Sequence, residues 1–319
     1  MTGFSAPFSG KVIRNTGSAY EVMSPDGNKV AARVKGNFRI KGIRTTNPVA
    51  VGDIVTVVPS AEDAWYITSV SPRRNYIIRR ASNLSKESHI LAANIDLAIL
   101  VVSIKDPSTP TTFIDRFLAT AEAYSVPAAL LLNKEDTWDD GDRELADAIR
   151  HLYETVGYKV FVASALMKTG LDSLRGELKG KLTLLAGNSG VGKSSLINAL
   201  VPGANLRTGR ISDLHHTGVH TTTFSEIIPL HEGGEIIDIP GVKGFGTIDF
   251  SRESVSHYFP EIFACGSGCR FADCTHTHEP GCAVREALVR NEISQSRYSS
   301  YLSILDELDE QGEKYRKPF

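Results

Sequence analysis

A chain of 319 residues is too long for one typical domain and suggests two or three, each able to bury its own core. With 41% hydrophobic and 23% charged residues the composition is that of a soluble globular protein and carries no signature of disorder. The net charge of -2 conceals a split, because residues 1–90 hold 13 Lys or Arg against 6 Asp or Glu, or +7 against -9 for the remainder. A basic N-terminal module on an otherwise acidic chain points to a polyanion partner for that module, the plain alternative being a solvated basic face.

Residues 1–72 read as an OB-fold β-barrel and as an RNA-binding domain. Five short β-branched segments, "GKVIRN", "SAYEVM", "KVAARV", "DIVTVV" and "AWYITSV", are separated by turn formers such as "SPDG" and "NPVAVGD". A small barrel of this kind often binds single-stranded nucleic acid. Phe38, Trp65 and Tyr66 are candidates for base stacking beside Lys35, Arg39, Lys41 and Arg44, although aromatics in so small a barrel more commonly fill the core.

From residue 73 to 250 the pattern becomes α/β. Strands are expected at "IDLAILVVS", "PAALLLN", "KVFVAS", "KLTLLAG" and the start of "GEIIDIPG". Helices are expected at "FIDRFLATAEAY", "DRELADAIRHLYETVG", "LDSLRGEL" and "KSSLINALV". Continuous apolar strands alternating with helices predict a parallel sheet covered on both faces, in a P-loop architecture. The longest apolar run, from Ile95, ends at Lys105 and is too short to span a bilayer. The N-terminus also lacks an apolar core behind a basic start, so a cytoplasmic location without a membrane partner is expected.

Within this segment "GNSGVGKS" follows an apolar strand and opens a helix, the context required of a phosphate-binding loop. In the loop of Gly187, Asn188, Ser189, Gly190, Val191 and Gly192 the glycines let backbone N–H groups turn inward around phosphates, and the helix N-terminus adds favourable dipole charge. Lys193 is placed to neutralise the β- and γ-phosphates and Ser194 to offer its hydroxyl to magnesium, with Ser195 also counted among the nucleotide-binding residues. Asp238 ends a hydrophobic strand and begins "DIPG", the arrangement of a carboxylate that holds magnesium through water, with Gly241 placed to meet the γ-phosphate. More than fifty residues earlier, "NKED" after a buried strand supplies a test for guanine. A carboxylate at Asp136 accepts from the ring N–H and exocyclic amine that adenine does not pair in this way, with Asn133 beside it and Lys134 lying along the base. Ser164 and Ala165 fit the companion loop whose backbone meets the guanine oxygen. Base reading before phosphate gripping implies a circular permutation in which connectivity changes and the pocket survives, with GTP or GDP and Mg2+ as its occupants. The same order puts the γ-phosphate sensor at 238–241 next to the C-terminal domain.

Ras-like enzymes place a water-positioning glutamine just after the glycine of the Asp-x-Pro-Gly turn, where this chain has Val242. The polar group must come from elsewhere. "HHTGVHTTTFSE" occupies the expected position of the first switch loop. Thr222 is the choice for the magnesium shell, with Thr221 or Thr223 open by register, and His220 is the choice for orienting water, with His215 and His216 as substitutes.

Residues 251–319 read as a small zinc-binding α-helical domain, with helical stretches at "REALVRNEIS" and "RYSSYLSILDELDEQG". All four cysteines lie between 265 and 282, a clustering that favours a metal over disulfides. Cys269, Cys274, His276 and Cys282 give Cys-x4-Cys-x-His-x5-Cys, a set suited to one structural Zn2+, with Cys265 and His278 as spares.

With "NKED", "SA", "GNSGVGKS", "HTTT" and "DIPG" followed by the Cys/His segment, the chain resembles, over essentially its full length, the RsgA family of circularly permuted small ribosomal subunit biogenesis GTPases. The resemblance implies GTP hydrolysis stimulated by the small ribosomal subunit, contact with its rRNA and not with DNA, and action late in subunit assembly. It also implies His220 as the catalytic group and the Cys-Cys-His-Cys set as zinc ligands. Ile239 departs from the family, whose members usually carry Ser or Thr there. An RNA-binding assembly scaffold using GTP as a structural ligand is the alternative, whereas an ATPase or kinase conflicts with Asn133 and Asp136. No heptad pattern demands a dimer, so a monomer is expected.

Overall fold

The computed structural model describes residues 6–17, 19–34, 48–60, 64–80, 88–206, 225–239 and 250–316. Five strands build the N-terminal barrel: β1 (Phe8–Asn15), β2 (Tyr20–Met23), β3 (Lys29–Val34), β4 (Ile54–Pro59) and β5 (Trp65–Val70). They run in the order β1-β2-β3-β5-β4, and antiparallel pairing of β1 with β4 closes the circle. The strands alternate because Val12, Val22, Val30, Ala32, Val55, Val57 and Ile67 point inward and are buried, which fixes the register. Trp65 packs on this core and meets Phe8 edge to face, with ring centroids 5.5 Å apart. Phe38 and its basic neighbours lie outside the described residues.

The barrel is tied to the next segment by Arg73, whose guanidinium donates to both oxygens of the fully buried Asp53 at 2.7 and 2.6 Å. A hairpin of β6 (Tyr76–Arg80) and β7 (Ser88–Ala93) follows, an element the sequence pattern does not announce.

The central sheet contains β8 (Leu97–Ser103), β9 (Ala128–Asn133), β10 (Lys159–Ala163), β11 (Leu182–Ala186), β12 (Ser225–Pro229) and β13 (Glu235–Asp238). Its order is β10-β9-β8-β11-β13-β12. All neighbours are parallel except β12, which runs antiparallel to β13 and then to β1 of the barrel, so the expected parallel sheet continues into the barrel as one eleven-stranded sheet. Period-two alternation feeds two cores. Leu100, Val102, Leu130, Leu132, Leu184 and Ile237 pack beneath α1 (Thr111–Ala123) and α2 (Asp140–Val156). Ile99, Val101, Leu131, Leu185 and Ile236 pack beneath α3 (Leu171–Leu178) and α4 (Lys193–Leu200). Helix α2 starts where Asp139 and Asp142 cap each other reciprocally and ends at Gly157 in the left-handed conformation.

The C-terminal part holds α5 (Pro260–Gly266), α6 (Ala283–Val289) and α7 (Gln295–Arg316). Helix α6 ends at Val289, before the last five residues of the stretch expected to be helical, and α5 is an addition to the sequence reading. Phe259, Ile262, Val284, Tyr301, Ile304 and Leu305 form a core that also takes in Ala119 of α1. At this junction Arg297 of α7 is fully buried and donates to Asp115 of α1 at 2.9 Å and to both oxygens of Glu261 of α5 at 2.7 and 3.0 Å. Tyr153 of α2 donates to the same Asp115 oxygen at 2.8 Å. Burial pushes the Asp115 carboxyl above its ordinary range even with Arg297 beside it, so the guanidinium is needed to keep the site balanced. No helix of the described residues is long and apolar enough to cross a membrane.

Arg297→Ala leaves two carboxylates without their cation and is expected to lower the unfolding free energy by about 3–5 kcal/mol, read by urea denaturation. Arg290→Ala, which removes a surface pair with Glu292, is expected to leave the urea midpoint unchanged.

Candidate functional site

Four loops gather at the C-terminal ends of the parallel strands, where α/β sheets bind their ligands. Strand β11 runs into the phosphate-type loop, and α4 begins at Lys193. Gly187 has φ +143°, and a Cβ there would lie 2.5 Å from the Val101 carbonyl, so the loop leaves the sheet by a path only glycine follows. Val191 anchors the loop in the core beneath α4, while Ser189 and Gly190 are exposed and Ser194 and Ser195 half-buried. The Lys193 ammonium donates to the carbonyls of Gly187 at 2.5 Å and Asn188 at 2.8 Å. Burial lowers its pKa and nearby Asp238 opposes that shift. Asp238, at the end of β13, has its carboxyl pushed up by burial and by Glu226, with Lys193 opposing.

The segment expected to read the base meets this loop directly. Asn133, the last residue of β9, is buried and donates through Nδ2 to the Val191 carbonyl at 2.9 Å. Its Oδ1 accepts from the Ala165 N–H at 3.2 Å. One amide therefore clamps three loops that are far apart in sequence, so Asn133 works as a brace between them. Gly192 makes the close approach possible: at φ +95° its Cβ would come within 2.4 Å of Asn133 Nδ2. Lys134 follows in the left-handed conformation at φ 69° and donates to the Asp106 carbonyl. The Ser164 hydroxyl donates to Asp136 and accepts from the Met167 N–H at 2.9 Å, fixing the Ser-Ala loop against the carboxylate. Ile239 is buried in the core under α1 and α2, a packing reason for its apolar side chain. His220, Thr222 and Gly241, together with His215, His216, Thr221, Thr223 and Val242, lie outside the described residues.

A second constellation stands in the C-terminal part. The ligand atoms of Cys269, Cys274, His276 and Cys282 all lie within 4.8 Å of one another. The sulfurs of Cys269 and Cys282 are 3.9 Å apart, and each is 3.5 Å from His276 Nδ1. A zinc tetrahedron with bonds of about 2.3 Å to sulfur has S···S edges of roughly 3.8 Å, so the donor set fits the ion. Cys265 and His278 stand outside the cluster.

Several supporting residues carry no sequence signal of their own. Glu279 accepts from the Thr275 hydroxyl at 2.5 Å and from the Thr275, Thr277 and His278 N–H groups at 2.8, 3.0 and 3.1 Å; against the opposing effect of burial, the bonds from the Thr275 hydroxyl and from backbone N–H groups hold its carboxyl well below the usual range. Tyr298 and Tyr301 donate to the carbonyls of His276 and Thr275 at 2.7 and 2.8 Å. Together they shape the turn that presents His276. Asp106, under Lys134, likewise belongs to no motif.

Residues 70–248 match the sequence profile of the RsgA GTPase family and residues 9–67 that of the RsgA N-terminal domain. A small ribosomal subunit biogenesis GTPase RsgA of Porphyromonas gingivalis is 60% identical over 315 residues, covering 97% of this chain and 99% of the relative. The protein of the same name from Flavobacterium psychrophilum is 44% identical, covering 95% and 94%. Among solved structures, YjeQ from Thermotoga maritima superposes with a TM-score of 0.75 at 33% identity, covering 95% of this chain and 98% of that one. YloQ, described as a circularly permuted GTPase, superposes at 0.73 with 29% identity, covering 100% and 99%.

Elemental analysis of the purified chain is expected to find one zinc per molecule. Cys274→Ser is expected to lose it and to unfold at a lower temperature in calorimetry, whereas Cys265→Ser is expected to retain it.

Proposed function

For a chain that belongs to the RsgA GTPase family and hydrolyses GTP, we propose that the small ribosomal subunit stimulates the reaction and that the protein acts in late maturation of that subunit. The observation that supports this reading is the hydrogen bond from Asn133 to the Val191 carbonyl, which brings the segments expected to read the base and to grip the phosphates together despite their reversed order in the chain. The basic charge of residues 1–90 and the barrel that they largely form support rRNA contact. We take the chain to be monomeric and cytoplasmic, with divisions near residues 72 and 250: β5 ends at Val70, and Phe250 already packs in the C-terminal core.

In this reading Asp136, steadied by the Ser164 hydroxyl, accepts from guanine, Lys134 lies along the base, and the Ala165 backbone faces the guanine oxygen. The backbone of residues 187–192 cradles the phosphates. Lys193, oriented by two loop carbonyls, neutralises charge that grows on the β–γ bridging oxygen as its bond to the γ-phosphorus breaks. Water adds to phosphorus opposite that oxygen, and its protons leave with phosphate and solvent, giving GDP and inorganic phosphate. His220 orients the water, because Val242 has no polar group to do so. Ser194, Thr222 and, through water, Asp238 would hold Mg2+, which neutralises phosphate charge when bound, and Gly241 meets the γ-phosphate. Cys269, Cys274, His276 and Cys282 would hold a structural Zn2+, since the protein would supply all four ligands.

Phosphate release from GTP is expected to rise by about 10³-fold or more when small ribosomal subunits are added, the scale at which a supplied catalytic element acts. A rate unaffected by subunits would overturn the switch. His220→Ala is expected to lose about 10²–10⁴ of the stimulated turnover with GTP affinity unchanged, measured by single-turnover hydrolysis and equilibrium binding. Asp136→Asn is expected to cost GTP affinity at least tenfold and to restore part of it for xanthosine triphosphate, whose base carries an oxygen in place of the exocyclic amine.

A further inference from the structure

The register of the sheet aligns a row of charges that starts in the barrel and ends at Asp238. Arg14 of β1 stands directly opposite Glu21 of β2 on one side and Glu226 of β12 on the other. Glu226 in turn stands directly opposite Asp238 of β13. Residues paired in this way project from the same face with Cβ atoms about 4.5–5.5 Å apart, so they act on one another. Arg14 and Glu226 form an ion pair at 3.6 Å, both side chains being partly exposed at 45% and 37%. Lys29 pairs with Glu21 at 3.2 Å at the barrel end. At the other end Asp238 feels Glu226 as a like charge and Lys193 as an opposite one.

Two carboxylates side by side on neighbouring strands repel and are a cost to the sheet unless a cation is near. Here one cation, Arg14, comes from a different domain, and only because β12 pairs with the barrel strand β1 on one edge and β13 on the other. Of the two acids Asp238 lies at the strand end beside the phosphate loop, whereas Glu226 is one strand further out.

From this row we propose that Glu226 is a positioning residue for the magnesium–nucleotide site, and that Arg14 of the barrel sets its strength. The proposal rests on the reading of Asp238 as the magnesium-side carboxylate. Glu226 adds negative charge behind Asp238 and so favours a divalent cation at that end of the pocket. Arg14 offsets part of that charge, so a polyanion that draws Arg14 toward the barrel surface acts on magnesium affinity with the same sign as removing Arg14.

The two side chains must therefore have opposite effects, which a packing role does not give. The full chain is loaded with fluorescently labelled GDP, and nucleotide release is followed over a range of Mg2+ concentrations at low salt. Glu226→Gln is expected to raise the Mg2+ concentration for half-maximal retention about fivefold, the size of a unit charge acting on a divalent ion across some 8 Å of well-hydrated surface. Arg14→Gln, further away, is expected to lower it by about twofold. Glu226→Asp is expected to stay within a factor of two of wild type, the double variant Arg14→Gln/Glu226→Gln to fall between the two singles at about two- to threefold above wild type, and the shifts to collapse at about 1 M salt. If both single variants shift the midpoint in the same direction, or neither moves it while wild type keeps its own magnesium dependence, the proposal is overturned. Arg14→Gln alone carries the sign test should Glu226→Gln not fold, with thermal melting recorded for each variant. A wild-type chain whose nucleotide release ignores magnesium would instead overturn the magnesium-site reading, and this proposal with it.

Discussion

One side-chain amide ties together the loops expected to form the nucleotide pocket. Asn133 gives its N–H to the phosphate loop at Val191 and takes one from the Ser-Ala loop at Ala165. It is buried at the end of β9, so neither bond has water as a ready substitute, and the loss of either partner would leave a buried polar group unsatisfied. Loops that read a base and loops that hold phosphates need a fixed separation, since the nucleotide between them has a fixed length. Asn133 sets that separation with a rigid amide, and Gly192 permits it by having no Cβ at the point of closest approach. The pocket therefore depends on strand order within the sheet and is indifferent to the order in which the chain visits the strands.

That indifference is what lets the permutation work. Strands β8, β9 and β10 with their helices form one continuous run of chain, and β11, β12 and β13 form another. The two runs meet along the β8–β11 edge, with Thr183 paired to Leu97 and Ala186 to Leu100. Interchanging them in sequence leaves each run intact and leaves the C-terminal ends of the parallel strands at the same edge of the sheet. What changes is the neighbour at each terminus of the unit: the barrel enters before β8, and the C-terminal helices leave after β13. The barrel exploits this a second time by pairing β1 with β12, so strand hydrogen bonds reach from the barrel to the edge of the nucleotide sheet.

Much of this was legible in the sequence where local chemistry is self-sufficient. The phosphate loop needs glycines, a lysine and a helix start within eight residues, and no other arrangement satisfies those needs as well. Three cysteines and a histidine within fourteen residues have few uses besides a metal. The buried strands from Ile95 to Asp238 announce themselves by unbroken apolar runs. The β6–β7 hairpin gave no such signal, since the sequence between its strands lacks a tight turn motif. The antiparallel course of β12 was equally hidden: "SEIIP" has two apolar residues and takes its direction from partners on either side. Arg297, a charged residue in a helix with many charges, reads as solvent-facing. Only the tertiary arrangement shows that Asp115, 182 positions earlier in the chain, is waiting for it.

The buried Arg297 also bears on how the C-terminal part is connected to the pocket. From the sequence, the route expected between them was the stretch just after Asp238, whose residues 240–249 lie outside those described. Among the described residues the contacts run through α1. Its Asp115 and Arg116 grip α7 through Arg297 and Glu307, and its Ala119 packs in the C-terminal core. The segment that leads into the same helix supplies the Asp106 carbonyl to Lys134 of the base-reading loop. A helix behaves as a rigid rod over its 13 residues, so a displacement of α7 that keeps the buried ion pair intact must carry α1 with it. Breaking the pair instead would strand charges away from water, which is the costlier course. The nucleotide sheet and the zinc-type cluster are thus joined near the N-terminal end of α1, where a buried guanidinium holds Asp115 and the segment leading into the helix is held by Lys134.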